Sequence, residues 1–295
     1  MQKPTKPIGG TELAYNRLLE LTDVSPINLM MSICHPELLS NDKPNILWEQ
    51  LSYDQQNVAL LQDPNFVNKL DAIVFVSHWQ HEQFRKRFPL DNTRCYVIPN
   101  AVDTFIVASK PRRIKLVYTS TPFRGLHLLI EALKRLDRDV DVDIYSGTSI
   151  YGPSFAQQTQ GQFDHLYQAI KDLGYNHYEY APNSTIRSML ERAHILAYPC
   201  VFEETSCIAA IEALSAGCKV VTTNIGALYE TCNVWADYVP LSNDFIDSYT
   251  NTLRHSIDTF WDNQTERTLQ QAFYKRFWSW DTRIKSWEKL INEFR

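Results

Sequence analysis

The sequence predicts an α/β protein with two doubly wound, parallel-sheet domains, and three observations carry that prediction. Short β-rich apolar runs alternate with amphipathic helical stretches in both halves of the chain, as strand–helix–strand units on parallel sheets require. A chain of 295 residues, 44% of them apolar, can bury a large core and is long enough for two domains. Between the halves, residues 100–111 carry little periodicity and end in a proline with basic neighbours, which places the hinge there.

In the first half, residues 11–21 read as a helix, followed by strands at 28–33, 45–49, 72–77 and 95–99 and a helix at 78–88. Polar or turn residues follow each strand, as expected where strand-end loops build a site. Residues 1–7, with two prolines and two lysines, do not read as a buried strand, so the first domain is expected to be small, with about four strands, or to lack an N-terminal portion. After the hinge, strands are expected at 115–120, 142–145, 178–180, 195–199 and 219–223, and helices at 126–135, 163–173, 184–193 and 206–216. Residues 242–295 are helical and aromatic, and Trp261, Trp278, Trp280 and Trp287 read as core contacts.

A net charge of -5 argues against a dominant nucleic-acid surface. The basic clusters Arg85-Lys86-Arg87 and Lys110 to Lys115 read as solvated faces, with contact to an anionic lipid or acceptor as the alternative. No run approaches the roughly 18–20 apolar residues that span a bilayer, and the start MQKPTKPIGG lacks the apolar region of a signal peptide. A cytoplasmic protein is expected, with peripheral membrane contact at most. Six cysteines without CxxC spacing are expected to be reduced thiols, Cys207 and Cys218 serving as small packing residues.

The most informative stretch is residues 198–230, YPCVFEETSCIAAIEALSAGCKVVTTNIGALYE. A helix is expected to begin near Thr205 or Ser206, both good N-cap residues, and to stop at Gly217. Its start would present free N–H groups and about half a positive charge to a phosphate. Glu204 precedes that start; Glu212 lies roughly 9 Å along the axis beyond it at about 1.5 Å per residue. A diphosphate at the helix start would then point a sugar at one carboxylate and a ribose at the other, both good acceptors for paired hydroxyls.

Two glutamates eight apart, followed by EA, a small residue, a glycine and a Val-Val strand, resemble the donor site of retaining glycosyltransferases of the two-domain B fold, family 4-like (glycosyl transferases group 1). The resemblance implies two Rossmann-like domains facing across a cleft: 1–108 on the acceptor side, 109–276 binding the nucleotide sugar, and a terminal helix, 277–295, returning to the first domain. It assigns Glu204 to the donor-sugar hydroxyls and Glu212 to the ribose, with backbone contacts from Thr205, Ser206, Cys207 and Ile208. Ile8-Gly9-Gly10-Thr11-Glu12 resembles the family's first-domain loop opposite the diphosphate. Glycines directly before a helix let the backbone approach an anion closely.

Ser120-Thr121-Pro122-Phe123-Arg124-Gly125 follows a strand and opens a helix, where relatives carry two basic residues that neutralise the leaving diphosphate; here Arg124 alone is well placed, with Ser120 near the other position. Pro99-Asn100-Ala101-Val102-Asp103 resembles the interdomain segment and suggests a cleft-lining Asn100. Where many members carry a catalytic-site histidine, this chain has Glu49-Gln50; His35 follows another strand, and no general base is assigned. The acidic series Asp137, Asp139, Asp141, Asp143 alternates with Val140, Val142 and Ile144 and reads as a strand solvated on one side rather than a metal site. His78, His81 and Glu82 read as a solvated helix face without a remote partner set.

The expected activity is therefore metal-independent, retaining transfer of a sugar from a nucleoside-diphosphate sugar, UDP- or GDP-linked, to a hydroxyl on a glycan, lipid-linked or small-molecule acceptor. No cofactor is expected. Glu204 and Arg124 are the expected catalytic groups, and Gly9, Gly10, Thr11, Ser120, Gly125 and Glu212 complete the donor contacts. A catalytically weak nucleotide-sugar-binding or scaffold protein, and an epimerase on the same fold, are the alternatives.

Overall fold

The computed structural model describes residues 8–106 and 109–295. The reading of residues 1–7 and the boundary at 108/109 fall on or against positions outside the described residues.

The first domain is a four-stranded parallel sheet, β1 (Asn28–Met31), β2 (Asn45–Glu49), β3 (Ala72–Phe75) and β4 (Arg94–Val97), whose spatial order follows the chain. Helices cover both faces, and β2 and β3 are buried at every position, as a two-sided parallel sheet demands. On one face, Ala14 and Leu18 of α1 (Gly10–Leu21) pack with Ile46, Trp48 and Val74. On the other, Phe66 and Val67 of α2 (Pro64–Val67) and Phe84 of α3 (His78–Arg85) pack on Leu47, Ile73 and Phe75.

The second domain is a six-stranded parallel sheet in the order β10-β9-β8-β5-β6-β7. Its strands are β5 (Lys115–Thr119), β6 (Asp141–Tyr145), β7 (Asn176–Tyr178), β8 (Ile195–Tyr198), β9 (Lys219–Thr222) and β10 (Ala236–Tyr238). The order reverses between β5 and β8, and the crevice beyond the carboxyl ends at such a switch point is where open α/β sheets bind ligands. Helices α4 (Leu126–Lys134), α5 (Pro153–Gln158), α6 (Asp164–Asp172), α7 (Asn183–Leu190), α8 (Ile208–Ser215), α9 (Leu228–Cys232), α10 (Phe245–Asp258) and α11 (Gln264–Phe277) connect or cover it.

α12 (Trp280–Glu293) joins the first domain's core: Trp280, Trp287, Leu290 and Ile291 pack with Ile46 and Trp48, the Trp48 and Trp287 rings meeting edge-on at 4.7 Å. Trp261, in contrast, is 43% exposed.

Three expectations are corrected. The strand expected at 178–180 ends at Tyr178, and β10 was unforeseen because its half-buried Ala-Asp-Tyr carries no period. Asp143 is not on a solvated face. It is 4% exposed, with Lys115 Nζ at 2.6 Å and Asn176 Nδ2 donating at 2.8 Å from the flanking strands. Of the basic clusters, Arg85-Lys86-Arg87 stays exposed as expected, and so do Arg112 and Arg113, whereas Lys110 is drawn inward and donates to the Leu190 and Ala193 carbonyls. The rest of the acidic series is paired, Asp137 with Arg138 and Arg254, and Asp139 and Asp141 with Arg113. No helix among the described residues is long and apolar enough to cross a membrane.

Candidate active site

α8 begins at Ile208, not at Thr205 or Ser206, because those two side chains have other surroundings. Thr205 Oγ1 donates across the domains to the Gln50 carbonyl at 2.8 Å, and the Ser206 hydroxyl is buried without a partner. Cys207 is the N-cap residue and supplies no side-chain cap. The helix ends as foreseen. Gly217, at φ +73°, takes the left-handed position, its N–H bonding the Leu214 carbonyl and that of Cys218 the Ala213 carbonyl. Residues from Ala210 to Ser215 are all buried, so α8 is held rigidly.

A cavity of about 200 Å³ opens at the switch point, between the two domains. The first domain contributes Gly9, Gly10 and Leu13; the second contributes Thr119 and Ser120 after β5, Gly147 after β6, and Ile208, Ala209 and Glu212 of α8. Helices α1 and α8 therefore both start at this cavity, and the N–H groups of a helix's first turn have no partner inside it. A Cβ built on Gly10 would lie 3.0 Å from the Ile208 side chain, so the glycine is what lets the helix starts converge. Among the described residues the lining has no lysine or arginine; its ionisable groups are Glu179, Glu212, Tyr145 and Tyr180. The polarity favourable to an anion there is that of oriented backbone N–H groups at the two helix starts, suited to an anion that approaches main chain closely.

Glu212 is 7% exposed, and burial pushes its carboxyl above the ordinary glutamate range, while Asn183 and Arg187 pull the other way. Asn183 Nδ2 donates to its Oε1 at 3.1 Å, and Arg187 Nη1 lies 3.6 Å from the same oxygen. Both contacts fall on Oε1. Asn183 and Arg187 escaped the sequence reading although they stand four apart on α7, the spacing that puts two side chains on one helix face.

Glu204 lies off the cavity lining and is 4% exposed. Its Oε1 accepts from Arg124 Nη1 at 2.6 Å and from the Tyr198 hydroxyl, so the two groups expected to share the donor bind each other. The Arg124 guanidinium sits 4.4 Å over the Phe202 ring, and its Nε is buried without a partner. Gly125 explains the close packing here. At φ +117° it carries the loop so near Pro199 that a Cβ would stand 2.0 Å from the Pro199 carbonyl oxygen.

Of the expected donor residues, the cavity brings together Gly9, Gly10, Ser120, Ile208 and Glu212; Thr11, Arg124, Gly125, Glu204, Thr205, Ser206 and Cys207 stand outside its lining. Asn100 is buried in a reciprocal amide pair with Gln50 (2.8 and 2.9 Å) rather than lining the cleft. Glu49 is fully buried, and desolvation pushes its carboxyl up to about 8. It accepts from the Leu51 N–H at 2.7 Å and does not reach the cavity. His35 is exposed and caps a short turn through the Glu37 N–H. His78 and Trp79 donate their backbone N–H groups to the Glu230 carboxylate, His81 packs on Phe75, and Glu82 pairs with Lys86, so the histidines and Glu82 do not converge.

Residues 106–241 match the family model described as Glycosyl transferases group 1. One component of the phosphatidylinositol N-acetylglucosaminyltransferase of Arabidopsis thaliana is 28% identical over 175 residues, 55% of this chain and 36% of the relative, so the chain spans about a third of that relative's length. Among solved structures, a glycosyltransferase from Rickettsia africae superimposes with a TM-score of 0.71 at 15% identity, over 100% of this chain and 84% of that one. Anabaena HepE, solved with UDP and glucose, gives 0.71 at 16% identity over 99% and 85%. The pneumococcal O-GlcNAc transferase GtfA, solved with UDP and GlcNAc, gives 0.69 at 13% identity over 97% and 60%. At these identities the likeness is one of fold.

Proposed function

We propose that this chain, a glycosyltransferase B fold whose residues 106–241 form a glycosyl transferases group 1 domain, transfers a sugar from a nucleoside-diphosphate sugar to a hydroxyl acceptor, with retention and without a metal ion. The observation that carries the reading is the convergence of two helix starts, α1 and α8, on one interdomain cavity with Glu212 on its wall. A diphosphate fits the amides of Gly9, Gly10, Ile208 and Ala209, and the ribose fits the Glu212 carboxylate. Solved neighbours with UDP and a sugar support a uridine donor.

Departure of the nucleoside diphosphate concentrates negative charge on its terminal phosphate. Helix starts that already point there contribute about 0.3–1 kcal/mol each and need no reorganisation. Arg124 contributes the larger share, ~1.5–3 kcal/mol for a charge-assisted bond, when it trades Glu204 for a phosphate oxygen. Glu204, held by Tyr198, then faces the sugar hydroxyls. The six unpaired cysteines favour a cytoplasmic setting.

The test is incubation of the purified chain with UDP-glucose, UDP-GlcNAc and GDP-mannose, following nucleotide release and the anomeric configuration of the product by NMR. Release of UDP or GDP with a retained anomeric centre supports the reading; no release from any donor contradicts it. Binding without turnover supports a second reading, a donor-binding component of a larger enzyme, favoured by the Arabidopsis relative, which is itself named as one component of a transferase.

A further inference from the structure

The hinge and the cavity meet at one side chain. Arg187, one turn into α7, donates through Nη2 to the carbonyls of Asp103 and Thr104, both at 3.1 Å, and its guanidinium lies 3.8 Å over the Phe105 ring. Its Nη1 meets Glu212 at 3.6 Å, and Asn183 secures the same carboxylate oxygen. From the first domain, Arg17 of α1 closes on the Asp103 carboxylate at 2.8 Å. The helix that begins with the Gly9-Gly10 loop and the helix that carries the ribose-facing glutamate are thus both referred to residues 103–105. The hinge has room to respond, because Asp103, Thr104 and Phe105 line a separate cavity of about 270 Å³ against α11.

We propose that Arg187 is a positioning residue that ties Glu212 to the interdomain segment Asp103–Phe105, so that nucleotide occupancy and hinge geometry are coupled. A planar guanidinium can do this because it presents donors on two edges and a face at once; a lysine ammonium cannot. The proposal rests on Glu212 as the nucleotide-facing carboxylate. Coupling is reciprocal: whatever the hinge does to the nucleotide, the nucleotide does to the hinge.

The test is a double-mutant cycle read by calorimetric titration with UDP, with GDP and ADP as comparators. Phe105→Leu lies outside the nucleotide cavity yet is expected to weaken UDP about fivefold, the lower end of site-to-site couplings. Glu212→Gln is expected to weaken it about twentyfold, and the double variant no further than Glu212→Gln alone. Arg187→Lys keeps a cation beside Glu212 but loses the span; it should weaken UDP about fivefold and abolish the Phe105→Leu effect, which a merely structural role would not do. Wild-type affinity in Phe105→Leu, or its full factor added in the double variant, overturns the proposal while leaving the nucleotide reading intact. A wild-type chain that binds none of the three nucleotides overturns both. Should Phe105→Leu fail to fold, Arg187→Lys decides alone: an unchanged Kd for UDP refutes the tie.

Discussion

Replacing Glu204 by alanine should cost stability before it costs catalysis. The side chains of Glu204 and Arg124 are 5% and 23% exposed and meet at 2.6 Å, so removing the carboxylate leaves a guanidinium short of its counter-ion and the Tyr198 hydroxyl short of its acceptor. Breaking a buried pair from one side costs about 3–5 kcal/mol, and the partial exposure of Arg124 takes the lower end, ~3–4 kcal/mol. For a domain of 150–250 residues each kcal/mol moves Tm by about 2–4 °C, so Glu204→Ala should unfold roughly 6–16 °C lower by calorimetry without ligand. Adding Arg124→Met should restore part of that loss, because the double variant carries no stranded charge although the Tyr198 hydroxyl still lacks its acceptor. A fall below ~2 °C in the single variant, or a further fall in the double, would refute the pairing as a structural element.

Four further outcomes are expected. Glu49→Gln should flatten the pH dependence of stability. The folded carboxyl titrates at about 8 against 4.5 for an ordinary glutamate, so between those values the folded state holds the extra proton and the wild type loses stability as pH rises. The stability advantage of the variant should grow from pH 5 to pH 8 toward the ~4–5 kcal/mol that such a shift represents, and a pH-independent difference in Tm would discredit the burial argument. Gly10→Val places a side chain against Ile208 at the cavity mouth and should weaken UDP at least tenfold by titration while moving Tm by under ~2 °C. Arg124→Ala should slow transfer about a hundredfold if it offsets ~2.7 kcal/mol of developing charge, measured as kcat; unchanged turnover removes it from the mechanism. Transfer should survive a chelator, whereas loss restored by manganese would reinstate the acidic series as a metal site.

The fold was legible where period and burial coincide. β3 and β8 are continuous apolar runs because both sheet faces are covered, and the Gly217 stop followed from a backbone position that asks for a left-handed residue. Less legible was anything set by partners far along the chain. Asp143 reads as a solvent position until β5 and β7 bring Lys115 and Asn176 to it. Thr205 reads as a cap until the first domain offers the Gln50 carbonyl, which moves the start of α8 to Ile208. The site divides in the same way: Gly9, Gly10 and Glu212 meet at one cavity, while Arg124 and Glu204, sequence neighbours of that cavity, turn toward each other.

The central claim is that the two helix starts hold a diphosphate, and a crystal structure of the chain with UDP tests it most directly. The claim predicts the phosphates within hydrogen-bond distance of the Gly10 and Ile208 amides and a ribose hydroxyl on Glu212. A nucleotide seated elsewhere, for example in the polar cavity of about 460 Å³ lined by Thr148, Gln157 and Asp164, would contradict it.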